Sequence, residues 1–223
     1  MKKLVSVSIL SADFLNLKEE LDKVKDSGAD MIHFDVMDGI FVNNISFGFP
    51  VLKAVDQYSD MCLDVHLMIA DPLKYIGQCA ANGADIITFH IESAGNTDDT
   101  IKAIKKVNAK VGLSIKPDTP FEDVIPYLDK IDLLLIMTVE PGFGGQSFIT
   151  DTLKKIHTAK KYISEHNLDV KIQVDGGINA ETAALAGNAG ADIMVAGSYI
   201  FKSKNLQDAV ASLTGEQYLF HYR

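Results

Sequence analysis

The chain is short of cysteine, long apolar runs and positive charge, and each shortage excludes something. Only Cys62 and Cys79 occur in 223 residues, with no CxxC spacing. A disulfide framework and a thiolate metal knot are therefore excluded, and a reducing, cytoplasmic setting is expected. No apolar run reaches the roughly 18 residues that a membrane span needs. The opening MKKLVSVSIL continues directly into SADF, without a signal-length apolar segment or a typical cleavage site. Lys and Arg number 21 against 30 Asp and Glu, a formal net charge of -9. That balance argues against a nucleic-acid surface, which needs clustered cations and a favourable field. Any anionic ligand has to be held locally. Ser/Gly-rich linkers, charge blocks and low-complexity segments are missing too, so residues 1–223 are expected to form a single domain.

What is present is a regular alternation of short β-rich runs with longer amphipathic ones. Candidate strands cover 4–9, 31–36, 62–68, 86–90, 111–116, 133–139, 170–175 and 193–196. Between them lie helical patterns such as LKEELDKVKDSG, where Leu17, Leu21 and Val24 recur at helical spacing. Eight strand-helix units without a composition break point to an α/β fold, a (β/α)8 TIM barrel, rather than an open doubly wound sheet. The tripeptide GAD recurs at 28–30, 83–85 and 190–192, each time between a helical pattern and a strand. Glycine there is placed to end a helix in the left-handed conformation, at the structural floor of the barrel.

Two strands carry polar residues where a core strand needs none. In MIHFDVMDG (31–39), His33, Asp35 and Met37 share one face; in CLDVHLMI (62–69) the order changes, and Asp64, His66 and Met68 share it. A third run, KIQVDGG, places Asp175 just before two glycines. If these faces point into the barrel, His33, Asp35, His66 and Asp175 converge near its upper mouth. Two imidazoles and two carboxylates suit a divalent ion, Zn²⁺ first, with Mn²⁺, Fe²⁺ or Co²⁺ also able to use such donors. For one residue a satisfied polar pair in the core is the better account. Four at the functional ends of separate strands favour a metal site over a structural polar layer. Asp64, deeper in its strand, either orients a histidine or is a core polar group, and His90 carries the same ambiguity. His157, His166 and His221 are expected to be solvated.

A second constellation concerns phosphate. EPGFGGQSF (140–148), DGGIN and VAGSYIF follow three consecutive late strands. Glycines let backbone N–H groups approach an anion closely, and the loops after strands seven and eight are the usual phosphate cradle of this barrel. For Lys116, at the end of LSIK, two roles stay open: a phosphate contact, or a rim lysine with its stem laid along the barrel.

In the segments SILSADF, HFDVMDG, LDVHLM, GADIITFHIE, IMTVEPGFGGQSF, QVDGG and VAGS, the sequence resembles the ribulose-phosphate 3-epimerase family over nearly its entire length. The resemblance implies a metal-dependent isomerase of carbohydrate metabolism, in the pentose phosphate pathway. It implies that His33, Asp35, His66 and Asp175 bind the metal, and that Asp35 and Asp175 are the acid/base pair. Substrate contacts then fall to Ser8, His66, Gly142, Phe143, Gly144, Gly145, Asp175, Gly176, Gly177, Gly197 and Ser198. Met37, Met68 and Met137 wall the pocket, and a homo-oligomer is implied as well.

The expected reaction interconverts D-ribulose 5-phosphate and D-xylulose 5-phosphate by two-carboxylate proton transfer through an enediolate. The alternatives are a 3-epimerase of a hexulose phosphate such as D-allulose 6-phosphate, a phosphate-binding barrel lyase or decarboxylase, and a non-catalytic sugar-phosphate binder. The chain departs from the common family pattern at Val7, Ile40, Asn43 and Asn44, the last three in DGIFVNN. A proline missing there leaves the loop less constrained.

Overall fold

Strand β1 (Leu4–Ser8) pairs on one side with β2 (Met31–Met37) and on the other with β8 (Ile193–Ala196), and this closes the sheet. The strands β3 (Cys62–Met68), β4 (Ile86–His90), β5 (Lys110–Ile115), β6 (Leu133–Met137) and β7 (Lys171–Asp175) complete an eight-stranded parallel barrel in sequence order. The computed structural model describes residues 2–215.

Helices run between the strands, and Leu17–Asp26 shows why they form. Leu21 and Val24 are buried toward the barrel, Glu19 and Glu20 lie in the first turn, and Lys23 and Lys25 lie in the last. Charges so placed complement the helix dipole. The expected alternation departs from ideal at one unit. After β5 the chain forms a 3₁₀ stretch, Phe121–Lys130, with Pro126 inside it. Proline has no N–H to donate and its ring crowds the preceding turn, which disfavours an α-helix there. Phe121, Val124 and Leu128 are buried all the same. After β8 come two helices, Ser198–Phe201 and Leu206–Leu213. Among the described residues no helix is long and apolar enough to cross a membrane.

Both faces of the strands are buried, as a parallel sheet covered by helices requires. Outward side chains such as Val5, Val7, Ile32, Phe34 and Val36 join the core shared with the helices. Inward ones are stratified. Met31, Ile86, Leu133 and Ile193, the first residues of their strands, form an apolar cluster with Leu135, and Cys62 packs against it. Above them come buried polar residues: Ser6, His33, Asp64, Thr88, Ser114 and Gln173. Space is tight at this level. A Cβ on Gly112 of β5 would collide with Thr88 Oγ1.

The GAD glycines do take left-handed φ values, +81° at Gly28, +96° at Gly83 and +123° at Gly190. The aspartates beside them have a role of their own. Asp30 Oδ2 accepts the Val5 N–H at 2.8 Å, Asp85 Oδ2 the Leu63 N–H at 2.8 Å, and Asp192 Oδ2 the Ile172 N–H at 3.0 Å. Asp132, which lacks the GAD signature, does the same for Val111 at 2.8 Å. In return each aspartate donates its own N–H to the carbonyl of the residue it holds, at 2.8 to 3.1 Å. Every odd-numbered strand is thus clasped at its start to the even-numbered strand that follows it.

Candidate active site

The changed order of polar residues in β2 and β3 becomes meaningful in the strand register. His33 stands beside Asp64, Asp35 beside His66, and Met37 beside Met68. Each imidazole therefore has a carboxylate as its cross-strand neighbour. Asp175, the last residue of β7, comes to the same place from farther round the barrel.

The four expected ligands do meet. His33, Asp35, His66 and Asp175 each offer one donor atom, and all four atoms lie within 4.8 Å of one another. His33 Nε2 is 3.2 Å from Asp35 Oδ1 and 3.8 Å from Asp175 Oδ2; His66 Nδ1 lies at the same two distances from the same atoms. Tetrahedral donors on bonds of about 2.0–2.1 Å are separated by about 3.4 Å, so the spacing suits an ion. His33 Nε2 is moreover buried and makes no hydrogen bond among the described residues, despite the carboxylates nearby. A buried imidazole nitrogen without a partner is costly unless something accepts its lone pair. The donor set fits a divalent metal.

Each histidine is held from behind. His33 Nδ1 bonds Asp64 Oδ2 at 2.8 Å, and that oxygen also accepts Ser6 Oγ at 2.9 Å and Gln173 Nε2 at 2.5 Å. His66 turns its other nitrogen, Nε2, to His90 Nε2 at 2.9 Å, and His90 Nδ1 meets Glu92 Oε2 at 3.1 Å. Asp64 and His90 are thus orienting groups at the histidines, while Glu92 stood out in no local spacing. Ser8 Oγ donates to Asp35 Oδ2 at 2.7 Å and so fixes the carboxylate it lies beside.

The two central carboxylates are held differently. Burial pushes Asp175 up, the neighbouring Asp35 charge adds to this against the two histidines, and its pKa is raised to about 6. Burial acts on Asp35 in the same sense, but the two imidazoles beside it, His33 by proximity and His66 also through its Nδ1 bond to Asp35 Oδ1 at 3.2 Å, outweigh it and hold Asp35 well below the usual carboxylate range. Burial also pushes His90 down, to about 4, which leaves its ring neutral. Glu92 is lowered to about 2: burial opposes this, and hydrogen bonds from His90, the Lys116 N–H and the Thr119 hydroxyl prevail.

Above the cluster opens a pocket lined by Ser8, Asp35, Asp175, the methionines Met37, Met68 and Met137, and the glycine loops. Phe143, Gly144, Gly145, Gly176, Gly177, Gly197 and Ser198 all face it. Gly177 has φ +66°, and a Cβ there would collide with the Phe148 backbone nitrogen, so no side chain could stand in that turn. Gly142 is placed otherwise: it does not line the pocket, and its carbonyl accepts Asn44 Nδ2 at 2.7 Å. Gln146 lines the pocket and folds the loop by donating to the Glu140 and Phe143 carbonyls, a role its sequence position did not signal. Among the described residues no Lys or Arg lines this pocket, and Lys202 lines the adjoining hollow that shares Gly145, Gln146, Gly177 and Ser198 with it. Lys116 is held instead over the Phe41 ring, 4.2 Å from its centre. His157 is exposed, and His166 is exposed and stacked on Tyr162. His221 lies outside the described residues. Both cysteines are free thiols away from the cluster, Cys79 among the outer core and Cys62 at the barrel floor.

A (β/α)8 barrel with imidazoles, carboxylates and glycine loops gathered at the C-terminal ends of its strands is the architecture of a barrel enzyme. The chain belongs to the Ribulose-phosphate 3 epimerase family, whose model matches residues 4–201, and it is an epimerase, an isomerase. It is 44% identical to the ribulose-phosphate 3-epimerase of Bacillus subtilis (strain 168), covering 96% of this chain and 99% of that one. With the ribulose-phosphate 3-epimerase of Escherichia coli (strain K12) the identity is 41%, over 96% and 95%.

Solved structures share the fold at lower identity. KGPDC from Streptococcus mutans aligns with a TM-score of 0.71 at 18% identity, over 94% of each chain. Orotidine 5′-phosphate decarboxylase from Pyrococcus horikoshii OT3 aligns at 0.68 and 15%, over 95% of this chain and 97% of that one.

Proposed function

We propose that this epimerase interconverts D-ribulose 5-phosphate and D-xylulose 5-phosphate by proton transfer at C3 between two carboxylates, Asp35 and Asp175. One observation carries the reading. Asp35 and Asp175 approach the same two imidazole nitrogens from different strands, at 3.2 and 3.8 Å, yet their affinities for a proton are pushed in opposite directions. The names of the relatives at 44% and 41% identity supply the substrate.

His33, Asp35, His66 and Asp175 would hold one divalent ion, Zn²⁺ first, with Fe²⁺, Mn²⁺ and Co²⁺ as alternatives. When bound, such an ion stabilises negative charge on substrate oxygens as a Lewis acid. The proton transfers belong to the chain. The C3 proton is acidic because it neighbours the C2 ketone. Asp35, held ionised, removes it from one face, and Asp175, which protonates far more readily, returns one to the other face. Configuration at C3 inverts, and the reverse reaction exchanges the two roles. Ser8 steadies Asp35, and Met37, Met68 and Met137 keep water from the enediolate carbon.

Phosphate is held away from the reacting carbon, so its binding orients the substrate. The anion is met by backbone N–H groups of the loops at Gly144, Gly145, Gly176, Gly177, Gly197 and Ser198, with Lys202 in the adjoining hollow. We take residues 1–223 as one catalytic domain, placed in the cytoplasm and assembled as a homo-oligomer, as the family resemblance implies. The test is purified protein incubated in D₂O with D-ribulose 5-phosphate and, separately, D-allulose 6-phosphate, before and after metal removal. Deuterium should enter at C3 of the pentulose phosphate and stop entering when the metal is stripped. Faster exchange with the hexulose phosphate would move the substrate, and no exchange at C3 of either would overturn the reaction.

A further inference from the structure

The two histidines of the cluster present opposite ring nitrogens to it, and this fixes where their remaining protons must be. His33 faces the carboxylates with Nε2 and has Nδ1 on Asp64. His66 faces them with Nδ1, so its Nε2 is turned away, 2.9 Å from Nε2 of His90. Two imidazole nitrogens that close need one proton between them. Given the metal site proposed above, on which this inference rests, the protons can be arranged in only one way. A ligating His66 Nδ1 is bare, so His66 Nε2 carries the proton and donates it to His90 Nε2. His90, with Nε2 accepting, carries its own proton on Nδ1 and donates to Glu92 Oε2 at 3.1 Å.

We propose that His90 and Glu92 are positioning residues, a two-step relay that fixes the tautomer and ring plane of His66. A metal-ligating histidine normally leans directly on a carboxylate or carbonyl. Here a second imidazole is interposed.

The relay is built as a fixed object. His90 is fully buried, its ring meeting that of His66 edge to edge with centroids 5.0 Å apart and planes 28° apart, and it is covered by Phe41 at 4.8 Å. Glu92 Oε1 accepts the Lys116 N–H at 2.8 Å and the Thr119 hydroxyl, which leaves Oε2 for His90. The loop that supplies these donors is clamped in turn. Lys155 Nζ donates to the carbonyls of Lys116, Pro117 and Thr119 at 2.8, 2.7 and 2.5 Å. Glu92 is thus anchored by donors that are themselves held, and His66 receives its orientation from the loop after β5, not from its own neighbourhood on β3.

The experiment uses zinc-loaded wild-type protein labelled with ¹⁵N at histidine. We expect His66 with a metal-bound Nδ1 and a protonated Nε2, and His90 protonated at Nδ1 alone. A His90 protonated at Nε2, or a His66 ligating through Nε2, overturns the relay without any substitution. Zn²⁺ affinity, measured by competition with a chelator, gives a second readout. His90→Phe keeps an aromatic ring but removes the acceptor, and affinity should fall about 10–100-fold. His90→Gln, whose amide oxygen can accept from His66, should recover most of that loss. Unchanged affinity in folded His90→Phe overturns the proposal. Wild-type protein that takes up no Zn²⁺ overturns the cluster itself, whereas tight uptake with the reversed His90 tautomer overturns the relay alone.

Discussion

The barrel uses aspartate at both ends, and the two sets differ in what satisfies them. At the floor, Asp30, Asp85, Asp132 and Asp192 each accept a backbone N–H of the preceding strand and return one of their own. Those main-chain partners are fixed and neutral, and at Asp192, Lys160 Nζ adds a salt bridge at 3.0 Å. At the mouth, Asp35 and Asp175 face each other across two imidazoles, and among the described residues Asp175 bonds no backbone donor that would settle its charge. A carboxylate with its hydrogen bonds filled by the main chain is structure. One whose proton is contested by a like charge and by nearby cations is poised to exchange it.

The largest expected effect tests the mouth. Asp35→Asn and Asp175→Asn should each lower turnover at least about 10²-fold, the usual scale of a lost acid or base. Deuterium entry at C3, read together with turnover, separates loss of proton removal from loss of proton return. Near-native epimerisation by either variant would erase the distinction between the two ends.

Next comes the ion. The double variant His33→Ala/His66→Ala should lose stoichiometric Zn²⁺, while Cys62→Ser/Cys79→Ser should retain it, as metal analysis of dialysed protein will show.

The floor should answer in stability instead. Asp85→Ala removes a charged acceptor from the Leu63 N–H, and such bonds contribute about 1.5–3 kcal/mol. Denaturant unfolding should move by that amount while kcat/KM of the folded protein stays within about twofold. A variant that kept its stability and lost activity would place Asp85 on the wrong side of the comparison.

The smallest effect is expected at the loop after β2. Ile40 is 78% exposed and Asn43 is exposed as well, so neither packs against the barrel. Ile40→His with Asn43→Pro should leave Zn²⁺ affinity alone and shift the pentulose-to-hexulose ratio of kcat/KM by about tenfold or less.

Periodicity made much of this legible. Alternation in β2 and β3 was enough to put His33, Asp35, His66 and the methionines on one face, because a strand has only two faces to choose from. Strand limits agreed to within two residues, the mouth ends differing most: β1 stops at Ser8, where Ile9–Ser11 tightens into a turn. The clasp at Asp132 was hidden because it comes without the helix-ending glycine that marks the other three. Glu92 was hidden for a different reason. Its partners, His90, Lys116 and Thr119, converge from β4 and the loop after β5, and no local spacing records that meeting. Gly142 shows the reverse: a glycine-rich string marks a loop, but only the fold decides which of its residues turns to the pocket and which to Asn44.

The cation-free pocket wall bears on how a substrate arrives. A chain of net charge -9 offers a phosphate ester little long-range attraction, so on the reading proposed above its capture rests on local groups: the loop N–H groups, the bound ion and Lys202 beside the cradle. On that reading, such a cradle would recognise the outline of a tetrahedral oxyanion, its oxygens fitted to N–H groups. Anions of equal charge and different shape should then bind it less well.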